Sequence, residues 1–417
     1  MTDFKTKLDQ AIRLARRDMD RYAERTAEIC EARFYRVLEA FRAEHVSTTH
    51  FATSSGYGYN DAGRDKLEAL YSRVFSTEAA LMRQQIVSGS HAISLALFGN
   101  LLPGDELLCL GLPYDTLQTV IGLKRNVPCS LKEMGVSCRV LDVDFSALEA
   151  DAIVAAVKPQ TRMVAIQRSR GYSLRPSLHV AEIDRIAAAI KQCYPEVIIF
   201  VDNCYGEFVE MTEPGEDVDL IAGSLIKNPG AGIASGGGYI CGREQFVERA
   251  ACRLTVPGAG REMGATLADG RPFFQSLLLA PQIVQEALLG AVFAASLLEQ
   301  LGFQVSPGTN EERADIIQTI CMETPQRLIA FCRGIQRYSP VDSFVMPEPW
   351  PMPGYDNDII MASGGFVAGS SIELSADAPL REPYLAFLQG GLSRYHTIYA
   401  VSQTLQDMAE AGLLKSL

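Results

Sequence analysis

No stretch of eighteen consecutive apolar residues occurs in the 417-residue chain, so the sequence predicts no membrane-spanning helix. The opening residues, Met1-Thr2-Asp3-Phe4-Lys5, are polar and charged and do not form a secretory signal. Ten cysteines are scattered without a CxxC pair or neighbouring histidines, which excludes a zinc site of the usual spacing and a disulfide framework. Buried thiols in a reducing cytoplasm are the expectation, with no metal. Clustered basic charge is also missing. A formal charge of −12 argues against a nucleic-acid surface, which needs grouped Lys and Arg. No GxGxxG follows the first strand-like run, so a nicotinamide dehydrogenase is poorly supported. Internal repeats and low-complexity segments are absent as well.

What is present is an ordinary globular balance, 47% hydrophobic and 21% charged, in a chain long enough for one large domain and a smaller one. Residues 3 to 46 read as helix, and we take residues 1–46 as an N-terminal arm lying on a partner subunit or on its own domain. Residues 47–301 form the expected large domain and 302–417 the small one. Strands are expected at Gln84–Val87, Leu107–Leu110, Ser137–Leu141, Arg162–Ile166, Val197–Val201, Asp219–Gly223 and Gly238–Gly242. Helices near 88–101, 145–157 and 179–193 separate several of them, and this alternation predicts an α/β fold with a mostly parallel sheet. A long apolar helix is expected from Pro272 to Leu301. In the small domain, Ile372–Ser375 reads as a strand and Ser393–Ala411 as a closing helix.

Ligands of such sheets bind beyond the carboxyl ends of the strands. There the sequence places Ser88-Gly89-Ser90-His91 at the start of a helix, Tyr114 after a strand, Gln167-Arg168-Ser169-Arg170, Asp202 and Lys227. Lys227 alone would read as a surface residue in a glycine-rich turn. It lies 25 residues after Asp202, however, and Ser224 stands three positions before it. A lysine amine for covalent attachment and an aspartate for the ring nitrogen are what a protein supplies to pyridoxal 5'-phosphate (PLP). Backbone amides at the helix start, with Ser88, Gly89 and Ser90, make an anion site suited to a phosphate. Ser224 is placed to join it, and Tyr114 to stack on a planar ring. His91 reads equally as a base or as a ring filling the helix start. The loop Thr53–Asp61 carries Tyr57 and Tyr59, whose hydroxyls suit a ligand phosphate or a plain surface turn. The glycine-rich stretch 258–270, with Arg261 and Glu262, reads as an active-site or interface loop.

With these residues assembled, the chain resembles fold-type-I PLP enzymes. More narrowly it resembles the methionine gamma-lyase or cystathionine beta-lyase-like family, also called aluminium resistance proteins. The resemblance is carried by Ser54-Ser55-Gly56-Tyr57-Gly58-Tyr59-Asn60-Asp61, Gln85-Ile86-Val87-Ser88-Gly89-Ser90-His91-Ala92, Gln167-Arg168-Ser169-Arg170-Gly171-Tyr172, Val201–Phe208, Ser224-Leu225-Ile226-Lys227-Asn228-Pro229-Gly230 and Leu388-Gln389-Gly390-Gly391-Leu392. It spans about residues 40 to 395. It implies a seven-stranded large-domain sheet, a small C-terminal α+β domain and a homo-oligomer, a tetramer of dimers. It assigns Lys227 to covalent attachment of PLP, Asp202 to the pyridine nitrogen, Tyr114 to the ring, and Gly89, Ser90 and Ser224 to the phosphate. Tyr57 corresponds to a tyrosine that reaches the neighbouring subunit's phosphate in trans-sulfuration enzymes. Those enzymes have an arginine two residues on, where this chain has Tyr59, and a threonine after the lysine, where it has Asn228-Pro229.

The activity implied is a carbon–sulfur lyase that eliminates a thiol from a sulfur-containing amino acid and leaves ammonia and a keto acid. An aminotransferase and a non-catalytic PLP-binding protein are the alternatives. A substrate carboxylate calls for a guanidinium fork, and in fold-type-I enzymes that arginine comes from the small domain. Arg381, held among Pro379, Pro383 and Tyr384, is the expected residue, with Arg168 as its rival. Arg313, Arg327, Arg333 and Arg337 read as surface residues.

Overall fold

The computed structural model describes residues 2–124, 127–352 and 355–414. Its elements are, in order, α1 (Thr2–Ala43), α2 (Ala62–Phe75), β1 (Ala79–Arg83), α3 (Gly89–Asn100), β2 (Glu106–Leu110), α4 (Asp115–Ile121) and β3 (Ser137–Leu141). There follow α5 (Ala150–Ala156), β4 (Thr161–Gln167), α6 (Val180–Cys193), β5 (Ile198–Asp202), β6 (Leu220–Ser224), β7 (Gly238–Gly242), α7 (Glu244–Leu254) and α8 (Arg271–Gln300). The C-terminal part holds β8 (Val305–Ser306), β9 (Gln318–Cys321), α9 (Pro325–Arg337), β10 (Ile359–Ser363), β11 (Ser375–Pro379), β12 (Leu385–Gln389) and α10 (Arg394–Glu410).

Seven strands form the larger sheet in the order β1-β7-β6-β5-β4-β2-β3, and only β7 runs against the others. Runs such as Leu107–Leu110 and Ile198–Val201 are apolar at every position because helices cover both faces. The parallel strands therefore deliver their following loops to one edge, and these loops carry Ser88, Tyr114, Ser169, Cys204 and Lys227. The smaller sheet is antiparallel, β10-β11-β12-β9-β8. Alternation along it puts Ala376, Ala378, Ala386 and Leu388 into the main core. The opposite face, with Asp377 paired in register to Phe387 and Ser375 to Gln389, turns toward the larger sheet's loop edge.

The 42 residues of α1 contain no Gly or Pro, so nothing interrupts its hydrogen-bond ladder. Leu8, Ala11, Ala15, Met19 and Tyr22 recur at helical spacing and are buried where α1 packs along α8. The arm thus lies on its own chain. By length and composition α8 is apolar enough to cross a membrane, yet most of it is buried, packed against α1 and α10.

Two expected strands are displaced. Gln84–Val87 is a turn, with Val87 77% exposed, and the strand before it is Ala79–Arg83, paired antiparallel to β7. Ile372–Leu374 is not a strand either. The Ile372 N–H is spent on the Ile226 carbonyl (2.9 Å), a strap from the smaller sheet to the lysine turn, and the ladder begins only at Ser375. Arg313 is buried rather than at the surface, and its Nη2 donates to Gln318 Oε1 at 2.6 Å.

Candidate active site

A cavity of about 290 Å³ lies between the loop edge of the larger sheet and the inward face of the smaller one. Ser88, Gly89, Ser90, Tyr114, Asp202, Ser224 and Lys227 all line it. Four separate segments supply these seven residues, and only the parallel sheet brings them to one place.

One end is built from the start of α3. Ser88 caps the helix by accepting the His91 N–H at 3.1 Å, which leaves the first-turn amides of Gly89 and Ser90 outside the helix ladder. A Cβ on Gly89 would lie 3.0 Å from Ser224 Cβ and 3.4 Å from Cys204 Sγ, so glycine alone lets the helix start approach the β6 turn this closely. The Ser90 hydroxyl bonds the Tyr114 hydroxyl at 2.8 Å, and Ser224 Oγ accepts the Ile226 N–H at 3.3 Å. Small residues, hydroxyls and a helix N-terminus together form a cradle for an anion.

Asp202 ends β5, where its Oδ1 accepts the Cys204 N–H at 3.2 Å. Burial pushes its carboxyl up to about 6, a shift that a cation in the cavity would reverse. Lys227 follows β6 and donates to the Ser370 carbonyl while its Nζ sits 4.6 Å from the Tyr205 ring centroid. Burial lowers its pKa, although the Asp377 charge opposes the shift, so the neutral amine is easier to reach than on a surface lysine. The turn is rigid: Asn228 Nδ2 donates to the Tyr205 and Glu207 carbonyls at 3.0 and 2.9 Å, tying the lysine loop to the aspartate loop.

The facing wall was not foreseen. Asp377 Oδ2 accepts from the Tyr172 hydroxyl (3.1 Å), from Gln389 Nε2 (3.2 Å) and from the Ser370 hydroxyl. Tyr172 lies 5.1 Å from Phe387 and 5.9 Å from Tyr355 between ring centroids. Tyr172 and Gln389 stood inside motifs already singled out. Asp377 gave no signal beyond being the acidic residue in Ser375-Ala376-Asp377-Ala378-Pro379, a short alternating run.

Several expected residues are not brought into the cavity. Arg168 is fully buried on the other side of its strand, paired with Glu210 at 2.7 Å and Glu213 at 3.2 Å, with Asn203 Oδ1 at 2.8 Å. This corrects its candidacy as a carboxylate receptor: successive side chains alternate, so Gln167 faces the cavity and Arg168 faces away. Arg381 is exposed and lines a neighbouring cavity, its Nη2 donating to the Tyr172 carbonyl at 3.1 Å, which corrects that expectation too. Its supposed partner Glu373 accepts instead from the Phe366 and Val367 amides. No arginine lines the cavity among the described residues. Tyr57 and Tyr59 are 68% and 58% exposed and stacked on one another, outside this chain's cavity. His91 uses Nδ1 to accept the Val87 N–H at 3.1 Å, a closing contact of the helix start. Arg261 pairs with Glu244 and Glu248, while Arg64 clamps the 258–270 stretch to the tyrosine loop through the Gly58, Glu262 and Gly264 carbonyls.

A sequence model of the methionine gamma-lyase family matches residues 8–409. The uncharacterized protein YnbB of Bacillus subtilis is 46% identical over 391 residues, 93% of each chain. A crystal structure of a carbon-sulfur lyase involved in aluminum resistance from Clostridium novyi superposes with a TM-score of 0.92 at 45% identity, covering 97% of this chain and 96% of that one. The pyridoxal-5'-phosphate dependent protein YhfS of Escherichia coli matches at a TM-score of 0.61 and 14% identity, over 91% and 97% of the two chains, a likeness of fold alone.

Proposed function

From the premise that the chain belongs to the methionine gamma-lyase family, we infer that it is a PLP-dependent carbon–sulfur lyase acting on a sulfur-containing amino acid. The observation that carries this reading is the convergence of Lys227 and Asp202, from adjacent strands, on one cavity with the α3 anion cradle and Tyr114. The residues fit PLP. The glycine-lined cradle suits a phosphate, Asp202 is a buried carboxylate wanting a cation, and Lys227 is an amine of lowered pKa. When bound, PLP supplies an electron sink for charge developing at the substrate α-carbon.

This chain's residues do the rest. Lys227 would hold the cofactor covalently, and its amine, when free, would be the base for the α-proton. Burial lowers its basicity, which makes the neutral amine needed to accept a proton easier to reach than on a surface lysine. Asp202, as an anion, would keep a proton on the ring nitrogen. Gly89, Ser90 and Ser224 would hold the phosphate, with Ser88 keeping the helix start in register. Tyr114 lies between the two ends and is anchored by Ser90, so its ring direction is fixed. Tyr172, Tyr355 and Phe387 line the cavity with rings in mutual contact, an apolar surface for a substrate side chain.

Tyr57 and Tyr59, on an exposed loop, are proposed to reach a neighbouring subunit's site in a homotetramer. A cytoplasmic location is proposed from the reduced cysteines. The test of activity is release of thiol, ammonia and keto acid from L-cystathionine, L-methionine and S-alkyl-L-cysteines without an added amino acceptor. Turnover only when a keto acid acceptor is supplied would replace this reading with an aminotransferase.

A further inference from the structure

The cavity wall contributed by the smaller sheet holds a cation in this structure: the ammonium of Lys227. It donates to the Ser370 carbonyl and lies 4.6 Å from the centre of the Tyr205 ring. Among the charges around it, that of Asp377 supports the protonated form most. A carbonyl oxygen, an aromatic face and a carboxylate are an acceptor set for an ammonium group. Lys227 cannot stay there while its nitrogen holds the cofactor or while its freed amine serves the substrate α-carbon, so the seat is left to another cation.

Burial raises the Asp377 carboxyl above the usual carboxylate range, and the Ser370 hydroxyl, the Lys227 charge and the Tyr172 hydroxyl oppose that shift, so a cation beside it favours the ionised form. Asp377 Oδ2 accepts from Tyr172, Gln389 and Ser370, and three donors on one oxygen stabilise the ionised form. Its Oδ1 is buried and has no hydrogen-bond partner. A buried acceptor left unpaired costs on the order of 1–3 kcal/mol, more when charged, unless a ligand completes it. The cavity also lacks an arginine among the described residues, so no guanidinium is there to favour a second carboxylate on the substrate.

We propose that Asp377, with the Ser370 carbonyl and the Tyr205 ring, recognises a cationic group on the substrate side chain, so that the substrate class is sulfur-containing amino acids bearing a second ammonium. The proposal rests on the reading of this cavity as the amino-acid site. It makes Asp377 a specificity residue that touches substrate, with Tyr172 and Gln389 holding its carboxylate in place.

The test uses three probes of similar length on the PLP-loaded full chain: S-(2-aminoethyl)-L-cysteine, S-propyl-L-cysteine and S-(2-carboxyethyl)-L-cysteine. Dissociation constants come from the change in absorbance of the bound cofactor in rapid mixing, and thiol release is followed separately. The aminoethyl compound is expected to bind at least tenfold tighter than the propyl compound, and the carboxyethyl compound weakest. In Asp377→Asn the aminoethyl-to-propyl ratio is expected to fall to near one. Equal binding of the three probes by the wild type, or preference for the carboxyethyl compound, overturns the proposal. So does a wild-type ratio that survives in Asp377→Asn. If that variant does not fold, the wild-type order alone decides. Binding in the expected order without thiol release from any probe would refute the lyase reading and leave the Asp377 assignment standing.

Discussion

Asp202 offers a test that needs no substrate. Its carboxyl is buried at the end of β5, and burial lifts its pKa from 3.8 to about 6. The difference, 6 − 3.8, is about 2.2 units, or about 3 kcal/mol at about 1.4 kcal/mol per unit. The sign follows from an acid whose folded pKa is raised. The stabilising contribution is complete below 3.8 and is lost as pH rises through about 6, because the folded cofactor-free protein must then bury a charge. Between pH 5 and pH 7 the loss attributable to Asp202 is about 1.3 kcal/mol. Asp202→Asn keeps the shape and removes the titration. The stability of the variant relative to wild type should therefore rise by about 1.3 kcal/mol between pH 5 and pH 7, read from urea unfolding of both cofactor-free proteins at the two pH values. With PLP bound, a protonated ring nitrogen beside Asp202 supplies the counter-charge and the pH trend should flatten. A relative stability that stays constant within about 0.3 kcal/mol in the cofactor-free pair would refute the burial argument.

Lys227→Ala is expected to abolish both turnover and the cofactor adduct trapped by borohydride, and an adduct that persists in its mass spectrum would remove Lys227 from its role. Glu213→Gln strips charge from a carboxylate that serves both Arg33 and Arg168, each buried. Breaking such a pair should cost about 3 kcal/mol or more in urea unfolding, whereas a loss below about 1 kcal/mol would show that the cluster is hydrated. Arg381→Lys should leave KM within about threefold of wild type, since this side chain lines a neighbouring cavity and donates to the Tyr172 carbonyl. A tenfold rise would bring Arg381 back as the carboxylate receptor.

The order of strands and helices could be read from the sequence because burial on both faces leaves unmistakable apolar runs, as in Ile198–Val201 and Leu107–Leu110. The strand-end rule then brought Ser88, Tyr114, Asp202 and Lys227 into consideration, Ser224 followed from its place three before the lysine, and all five line the cavity. The opening strand was misplaced because Ala79–Arg83 ends in a charge, whereas Gln84–Val87 ends in two apolar residues that the turn exposes or tucks under. Arginines were the weakest inference. Arg168 and Arg381 have the right chemistry, but whether a guanidinium faces a cavity depends on strand parity and on distant carboxylates such as Glu213.

By itself, then, the sequence determined the α/β order, the lysine–aspartate pair and the anion cradle, because each depends on residues close together in the chain or at the end of one strand. The facing wall was decided only by tertiary structure. Asp377, Phe387 and Gln389 meet Tyr172, Tyr205 and Lys227 across separations of well over a hundred residues, through register between β11 and β12 and through the Ile372–Ile226 strap. Local pattern cannot specify such pairing, because a shift of one residue in that register would turn Asp377 into the core and Ala376 toward the ligand.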